Sequence, residues 1–223
     1  VHVHSCADAA YVMLVAHALT ATPYSLTLHN PLVEYGGDQH AKWAAAAFAI
    51  VITEKLAEEV RRVLAGAVPE RLFVAPMGVD LELFRRTSPW VAAGEGEPLR
   101  LSSVARLNPA KGFEFLLQAV CELKARGVAV ELHIAGEDDH YGRGHRAVLE
   151  RQISALDLTE CVFLLGARSQ QQVRELLENS HAFVLASPEE PLGVSTMEAM
   201  AMELPVIVTS GGGSGELVSP GVG

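Results

Sequence analysis

Apolar positions along this chain follow two patterns that take turns from one end to the other. Short β-prone runs occur at Val1-His-Val-His4, Tyr24 to Leu28, Phe48 to Ile52, Arg71 to Ala75, Leu99 to Ala105, Val128 to Ala135, Cys161 to Leu165, Ala182 to Ala186 and Leu204 to Val208. Between them lie stretches with helical spacing, as in Leu56, Val60, Val63 and Leu64 behind the capping residue Thr53. Further helices are expected from a Ser5-x-x-Asp8 cap to about Leu19, over Trp43 to Ala47, from Phe113 to Arg126 with Gly127 closing it, and near 145–156, 169–179 and 194–202. Strands alternating with helices predict an α/β chain built on parallel sheets. The pattern lapses from Arg85 to Pro98, which is rich in Pro, Gly and Glu. That stretch is expected to be a linker between a first domain, 1–84, and a second, 99–223.

One stretch concentrates the chemistry: Ser187-Pro-Glu-Glu-Pro-Leu-Gly-Val-Ser-Thr-Met-Glu-Ala-Met-Ala201, which reads as loop and then helix between two strands. Glu190 falls in the loop and Glu198 in the first helical turn. The N–H groups of Gly193, Val194 and Ser195 lie between them at a helix N-terminus, which attracts anions and phosphate above all. Ser195-x-x-Glu198 also reads as a capping box, in which the glutamate needs no ligand. A second helix opens behind Arg106 and Lys111, two cations of the wrong sign for that end of the macrodipole. An anionic ligand would resolve the conflict; two solvated surface cations would be the plain reading.

At 223 residues the chain is long enough for two modest domains. Its formal charge of -10 argues against a nucleic-acid partner, which needs a basic stripe. No apolar run approaches the roughly 18–20 residues that span a bilayer. Three widely spaced cysteines, Cys6, Cys121 and Cys161, suggest neither a disulfide framework nor a zinc site, and fit a reducing cytoplasm. Opening in a strand and stopping after a Gly-rich stretch, the chain reads as a fragment.

Other chemistries find little support. His2 and His4 share one strand face, but no third metal ligand follows at matching spacing. Asp138, Asp139 and His140 could hold a metal or be solvated loop residues. Gly142-x-Gly144-x-x-Ala147 starts too far past its strand for a dinucleotide fingerprint. There is no P-loop, no G-x-S-x-G and no Asp-x-Asp clamp for a metal diphosphate.

Taken together, Val-His-Val-His4, Pro23 to His29, Met77-Gly-Val-Asp80 with Phe84, Val104-Ala-Arg106 through Lys111-Gly112, Ile134-Ala-Gly136, Val162 to Gly166, the paired Glu190 and Glu198 ahead of Ala199-Met-Ala201, and Pro205 to Val218 resemble the retaining glycosyltransferases of family 4, with the GT-B fold. The resemblance covers nearly the whole chain. It implies two Rossmann-like domains, the first incomplete, and transfer of a sugar from a nucleotide-sugar to a glycan or lipid-linked acceptor, as in polysaccharide biosynthesis. Arg106 and Lys111 would hold the donor diphosphate, Glu190 the donor sugar, Glu198 the ribose hydroxyls, and the N–H groups of Gly193, Val194 and Ser195 a phosphate or sugar oxygen. His4 would reach the sugar from the first domain. No metal or other cofactor is expected, nor more than peripheral membrane contact in the cytoplasm. A nucleotide-sugar epimerase, a phosphorylase, or a binding module without turnover are the other expectations this fold allows.

Overall fold

The computed structural model describes residues 1–139 and 143–218 and divides into two compact units, Val1–Met77 and Gly78–Gly223. In the first, β1 (His2–His4), β2 (Ser25–Leu28), β3 (Ala49–Val51) and β4 (Leu72–Val74) pair in that order, all parallel. Around them run α1 (Asp8–Thr20), α2 (Gln39–Ala44) and α3 (Glu54–Val63). Val3, Leu26, Leu28, Ala49 and Val51 are buried, as are Leu56, Ala57 and Val60 of α3, so the sheet has a covered face. Thr53 caps α3 as expected, its hydroxyl accepting from Leu56 N–H at 3.3 Å.

Two expectations fail here. Helix α1 starts behind Ala7 with no side-chain cap, because Ser5 turns into the left-handed region (φ 69) while its N–H donates to Thr27 O at 2.9 Å, prolonging the β1 pairing. Helix α2 begins at Gln39 rather than Trp43, since its inward face is polar: Gln39 and Lys42 are both buried. Lys42 Nζ donates to Cys6 O at 2.9 Å and sits 3.8 Å from the Tyr11 ring centroid, a cation–π contact. Burial lowers the Lys42 pKa and pushes the Cys6 thiol up to about 12, so this cysteine is an inert core residue. All three cysteines are free.

The second unit contains β5 (Leu99–Val104), β6 (Val130–Ala135), β7 (Val162–Gly166), β8 (Ala182–Leu185) and β9 (Val206–Val208) in the order β7-β6-β5-β8-β9, all parallel. Its helices are α4 (Phe113–Ala125), α5 (His145–Ala155), α6 (Gln170–Glu178) and α7 (Val194–Ala201). Strand β8 is buried throughout, and its alternate residues feed two cores. Ala182 and Val184 join Leu117 and Val120 of α4 and Leu149 of α5, whereas Phe183 and Leu185 join Leu177 of α6 and Ala199 of α7. Phe84 enters the second core at 2% exposure, and cutting it to Ala should cost about 3–5 kcal/mol.

The stretch 85–98, expected as a linker, falls within this unit. Arg86 donates to Glu178 O at 2.9 Å and to Met202 O at 3.1 Å, placing one cation on the last carbonyls of α6 and α7, where the macrodipoles favour it. Thr87 N–H and Oγ1 both donate to Glu178 Oε1, which holds that carboxyl down at about 2. Among the described residues, no helix is long and apolar enough to cross a membrane.

Candidate active site

Strand order in the second sheet reverses at β5: the chain leaves it for β6 and β7 on one side and returns to β8 and β9 on the other. Ligands of open parallel sheets bind at such a reversal, beyond the strand C-termini, where neighbouring loops diverge. The β5–α4 loop carries Arg106 and Lys111, and the β8–α7 loop carries Glu190. Lys111 Nζ lies 2.8 Å from Glu190 Oε2, with side chains only 16% and 10% exposed. Glycines permit this closeness. A Cβ on Gly112 (φ +64) would lie 2.2 Å from Ala186 O, and one on Gly212 (φ +71) 2.0 Å from Glu190 O. Gly213 N–H then donates to Glu190 O at 2.7 Å, fixing the loop that aims the carboxylate.

Helix α7 is capped by Gly193 in the left-handed region, with no side-chain cap. The capping-box reading of Ser195 and Glu198 is therefore overturned: Ser195 is the second helical residue and Glu198 the fifth, two positions beyond a box partner. The box that does form is Ser169 with Gln172, on α6. Glu198 is half-buried, has no bonded partner among the described residues, and burial raises its pKa. Thr196 Oγ1 is buried, also without a partner, and faces the position a Gly193 Cβ would take, at 3.1 Å. The α7 N-terminus thus offers first-turn donors that no side chain caps.

The two cations are not waiting for a ligand to balance them. Asp139 Oδ2 accepts from Arg106 Nη1 at 3.0 Å and from Asn108 Nδ2 at 3.0 Å, just as Glu190 balances Lys111. Asp139 and Asn108 adjoin Arg106, a grouping that sequence reading does not bring out, although Asp139 is among the candidate metal ligands there. Asp138 spends its carboxylate on helix α5, accepting from Gly144 N–H and Arg146 N–H at 2.8 Å each. His140 and Gly142, parts of the metal and dinucleotide readings, lie outside the described residues. Beside Arg106 opens a cavity of about 410 Å³ lined in part by Val104, Gly136, Asp138, Asp139, Arg168 and Val173.

His4 belongs to the first unit, at the end of β1. Its Nδ1 lies 2.9 Å from His29 Nε2, whereas both nitrogens of His2 are taken, by Ser25 Oγ at 2.7 Å and Thr27 Oγ1 at 2.8 Å. The second unit brings Lys111, Glu190 and Gly193 together and sets Arg106 against Asp139.

Comparison with known proteins places the family and the fold. A family model described as glycosyl transferases group 1 matches residues 85–223. The putative colanic acid biosynthesis glycosyltransferase WcaL of Salmonella typhimurium is 33% identical over 162 residues, covering 70% of this chain and 38% of that protein. The amylovoran biosynthesis glycosyltransferase AmsK of Erwinia amylovora is 32% identical over 163 residues, again 70% of this chain and 38% of the relative. This chain therefore spans well under half of those relatives. The crystal structure of Anabaena Alr3699/HepE in complex with UDP and glucose superposes with a TM-score of 0.82 at 23% identity, over 99% of this chain and 62% of that one. At that identity the likeness carries the fold, a parallel α/β architecture matching part of a GT-B glycosyltransferase.

Proposed function

The chain belongs to the glycosyl transferases group 1 family, and from that premise we propose that its protein transfers a sugar, with retention, from a nucleotide-sugar to a glycan or lipid-linked acceptor in polysaccharide biosynthesis. The observation that carries this reading is the Lys111–Glu190 pair, held across the reversal of strand order beside the open N-terminus of α7. WcaL and AmsK are named for polysaccharide biosynthesis, and the Alr3699/HepE crystal holds UDP and glucose, which supports the donor class.

In this reading the donor diphosphate takes Lys111 and Arg106 as counter-ions, sharing or displacing the carboxylates that balance them in the free protein. Each cation about 4 Å from a phosphate oxygen is worth ~4 kcal/mol at an effective dielectric of 20. The N–H groups of Gly193, Val194 and Ser195 bind a phosphate or sugar oxygen. Glu190 orients the donor sugar, Glu198 accepts from ribose hydroxyls, the base enters the cavity beside Arg106, and His4 contacts the sugar. As the bond from the anomeric carbon to the diphosphate breaks, negative charge grows on the leaving oxygen and the cationic contacts strengthen. Retention requires the acceptor hydroxyl to enter on the face the diphosphate leaves, so a leaving oxygen stands ready to take its proton. Charge on the protein does the work of a metal, and the reaction is cytoplasmic.

The test is to incubate the protein with labelled nucleotide-sugars and acceptor, measure released nucleoside diphosphate, and assign the product anomer by NMR. Acceptor-dependent release with a retained anomer is expected. Release dependent on inorganic phosphate, or an epimerised free donor, would favour a phosphorylase or an epimerase.

A further inference from the structure

The two histidines of Val-His-Val-His4 are bound unequally. His2 is locked: Ser25 Oγ and Thr27 Oγ1 take its two nitrogens, and its ring stands edge-on to His4, centroids 5.0 Å apart and planes at 83°. Among the described residues His4 bonds to one partner, the Nε2 of His29 at 2.9 Å from its Nδ1. The sheet register produces this contact. His2 pairs with Ser25 and His4 with Thr27, and side chains two apart on a strand share a face, so His29, two past Thr27, follows onto the face of His2 and His4. The His4 and His29 rings lie 19° from parallel with centroids 5.2 Å apart. That separation equals the nitrogen–nitrogen distance plus the two centroid-to-nitrogen radii, so the bond runs along both ring axes, as a linear N–H···N bond does.

We propose that His29 is a positioning residue for His4: it clamps the Nδ1 edge of the His4 ring and leaves Nε2 as the nitrogen that meets substrate. In an N–H···N bond one nitrogen donates and the other accepts, so the tautomer of His4 is coupled to that of His29. His2 supplies the wall that stops the ring from tipping. Burial, with His4 and His2 nearby, lowers the His29 pKa, which keeps it neutral and the bond intact at physiological pH. The charged and titratable groups recorded around this array are His2, His4, His29 and the amino terminus. This inference rests on the proposed contact of His4 with the donor sugar.

Three variants test it. His29→Leu removes the ring nitrogen, and His29→Asn keeps polarity but its amide is too short to reach, so both should free His4. His29→Gln places an amide near the site of Nε2 and should restore the clamp. The first readout is the ¹⁵N ring spectrum of His4. The His4 tautomer balance of the parent is expected to persist in His29→Gln and to shift in His29→Leu and His29→Asn; a His4 spectrum unchanged by all three overturns the clamp. The second readout is transfer by the full-length enzyme. The two freed variants should lose ~10–100-fold in kcat with KM for donor changed less than about threefold, and His29→Gln should recover most of it. If the His4 spectrum responds as described while kcat does not, the clamp stands and it is the contact of His4 with the sugar that fails. Equal loss in all three variants would show a merely structural His29 and overturn the positioning role.

Discussion

Lys111 Nζ meets Glu190 Oε2 at 2.8 Å from two loops that diverge where the strand order reverses. The pair gives each partner a distinct signature. Lys111→Met removes the cation and leaves Glu190 buried without it, so nucleoside diphosphate binding should weaken by ~1.5–3 kcal/mol. Glu190→Gln frees the cation, so diphosphate affinity should hold or rise while sugar transfer falls at least ~100-fold. Calorimetric titration of both variants, alongside their turnover, checks the split. Equal weakening of diphosphate binding in both would mean that the pair acts only as a structural tie.

Glu198 should show stability and binding pulling apart. Burial raises its pKa above the unfolded value, so its contribution to stability is complete below the unfolded pKa and is lost as pH rises through the folded one. Ionising the carboxylate therefore costs the free protein stability. Glu198→Gln should raise the melting temperature near pH 7, with the gain shrinking towards pH 4, and should weaken nucleotide binding by ~1.5–3 kcal/mol. The 2′-deoxy nucleotide should bind the parent more weakly and the variant about as well as the ribose form. A variant that discriminates the missing hydroxyl as strongly as the parent removes Glu198 from the ribose.

The histidines set a second pH dependence of opposite sign. Burial, the largest cause in each case, depresses the pKa of His2 and His29 in the first unit and of His133 and His181 in the second. A depressed pKa leaves more protons on the unfolded chain, so stability is full above about 6.5 and declines as pH falls below it. Denaturant midpoints measured from pH 8 to pH 5 should fall over the lower half of that range. A flat profile would mean these rings are solvated.

Much of this architecture is legible in the sequence because its strands are apolar and its helices obey their spacing; Ala182 to Leu185 and Phe113 to Ala125 are examples. What is not legible is polar material turned inward. Gln39 and Lys42 start α2 with a buried polar face, and a pattern reading takes such residues for loop. The Ser195-x-x-Glu198 spacing mimics a capping box because sequence does not say where α7 begins; the left-handed Gly193 decides it. Arg106 and Lys111 were legible as neighbours of an anion, but their carboxylate partners, Asp139 and Glu190, come from loops 33 and 79 residues away, distances only a fold closes.

Gly212 supports Glu190 by its missing side chain. A Cβ there would lie 2.0 Å from Glu190 O, on a residue at φ +71. Gly212→Ala should therefore lower stability by more than ~1 kcal/mol and displace the Glu190 loop, reducing transfer more than diphosphate binding. Melting curves and the two assays measure this; transfer at the parent rate would show that the loop tolerates the shift.

The most direct measurement is a calorimetric titration of UDP, GDP and ADP, each with EDTA present, onto the parent, Lys111→Met and Lys124→Met. Lys124 is the control, since it pairs with Asp157 on the surface at 2.8 Å and lies on α4 away from the strand reversal. One diphosphate should bind the parent with one-to-one stoichiometry, unaffected by the chelator. Its affinity should fall at least tenfold, ~1.4 kcal/mol, in Lys111→Met and stay unchanged in Lys124→Met. Binding lost with EDTA would contradict the metal-free reading, and binding equally reduced by both lysine variants, or absent throughout, would contradict a donor site at the Lys111–Glu190 cleft.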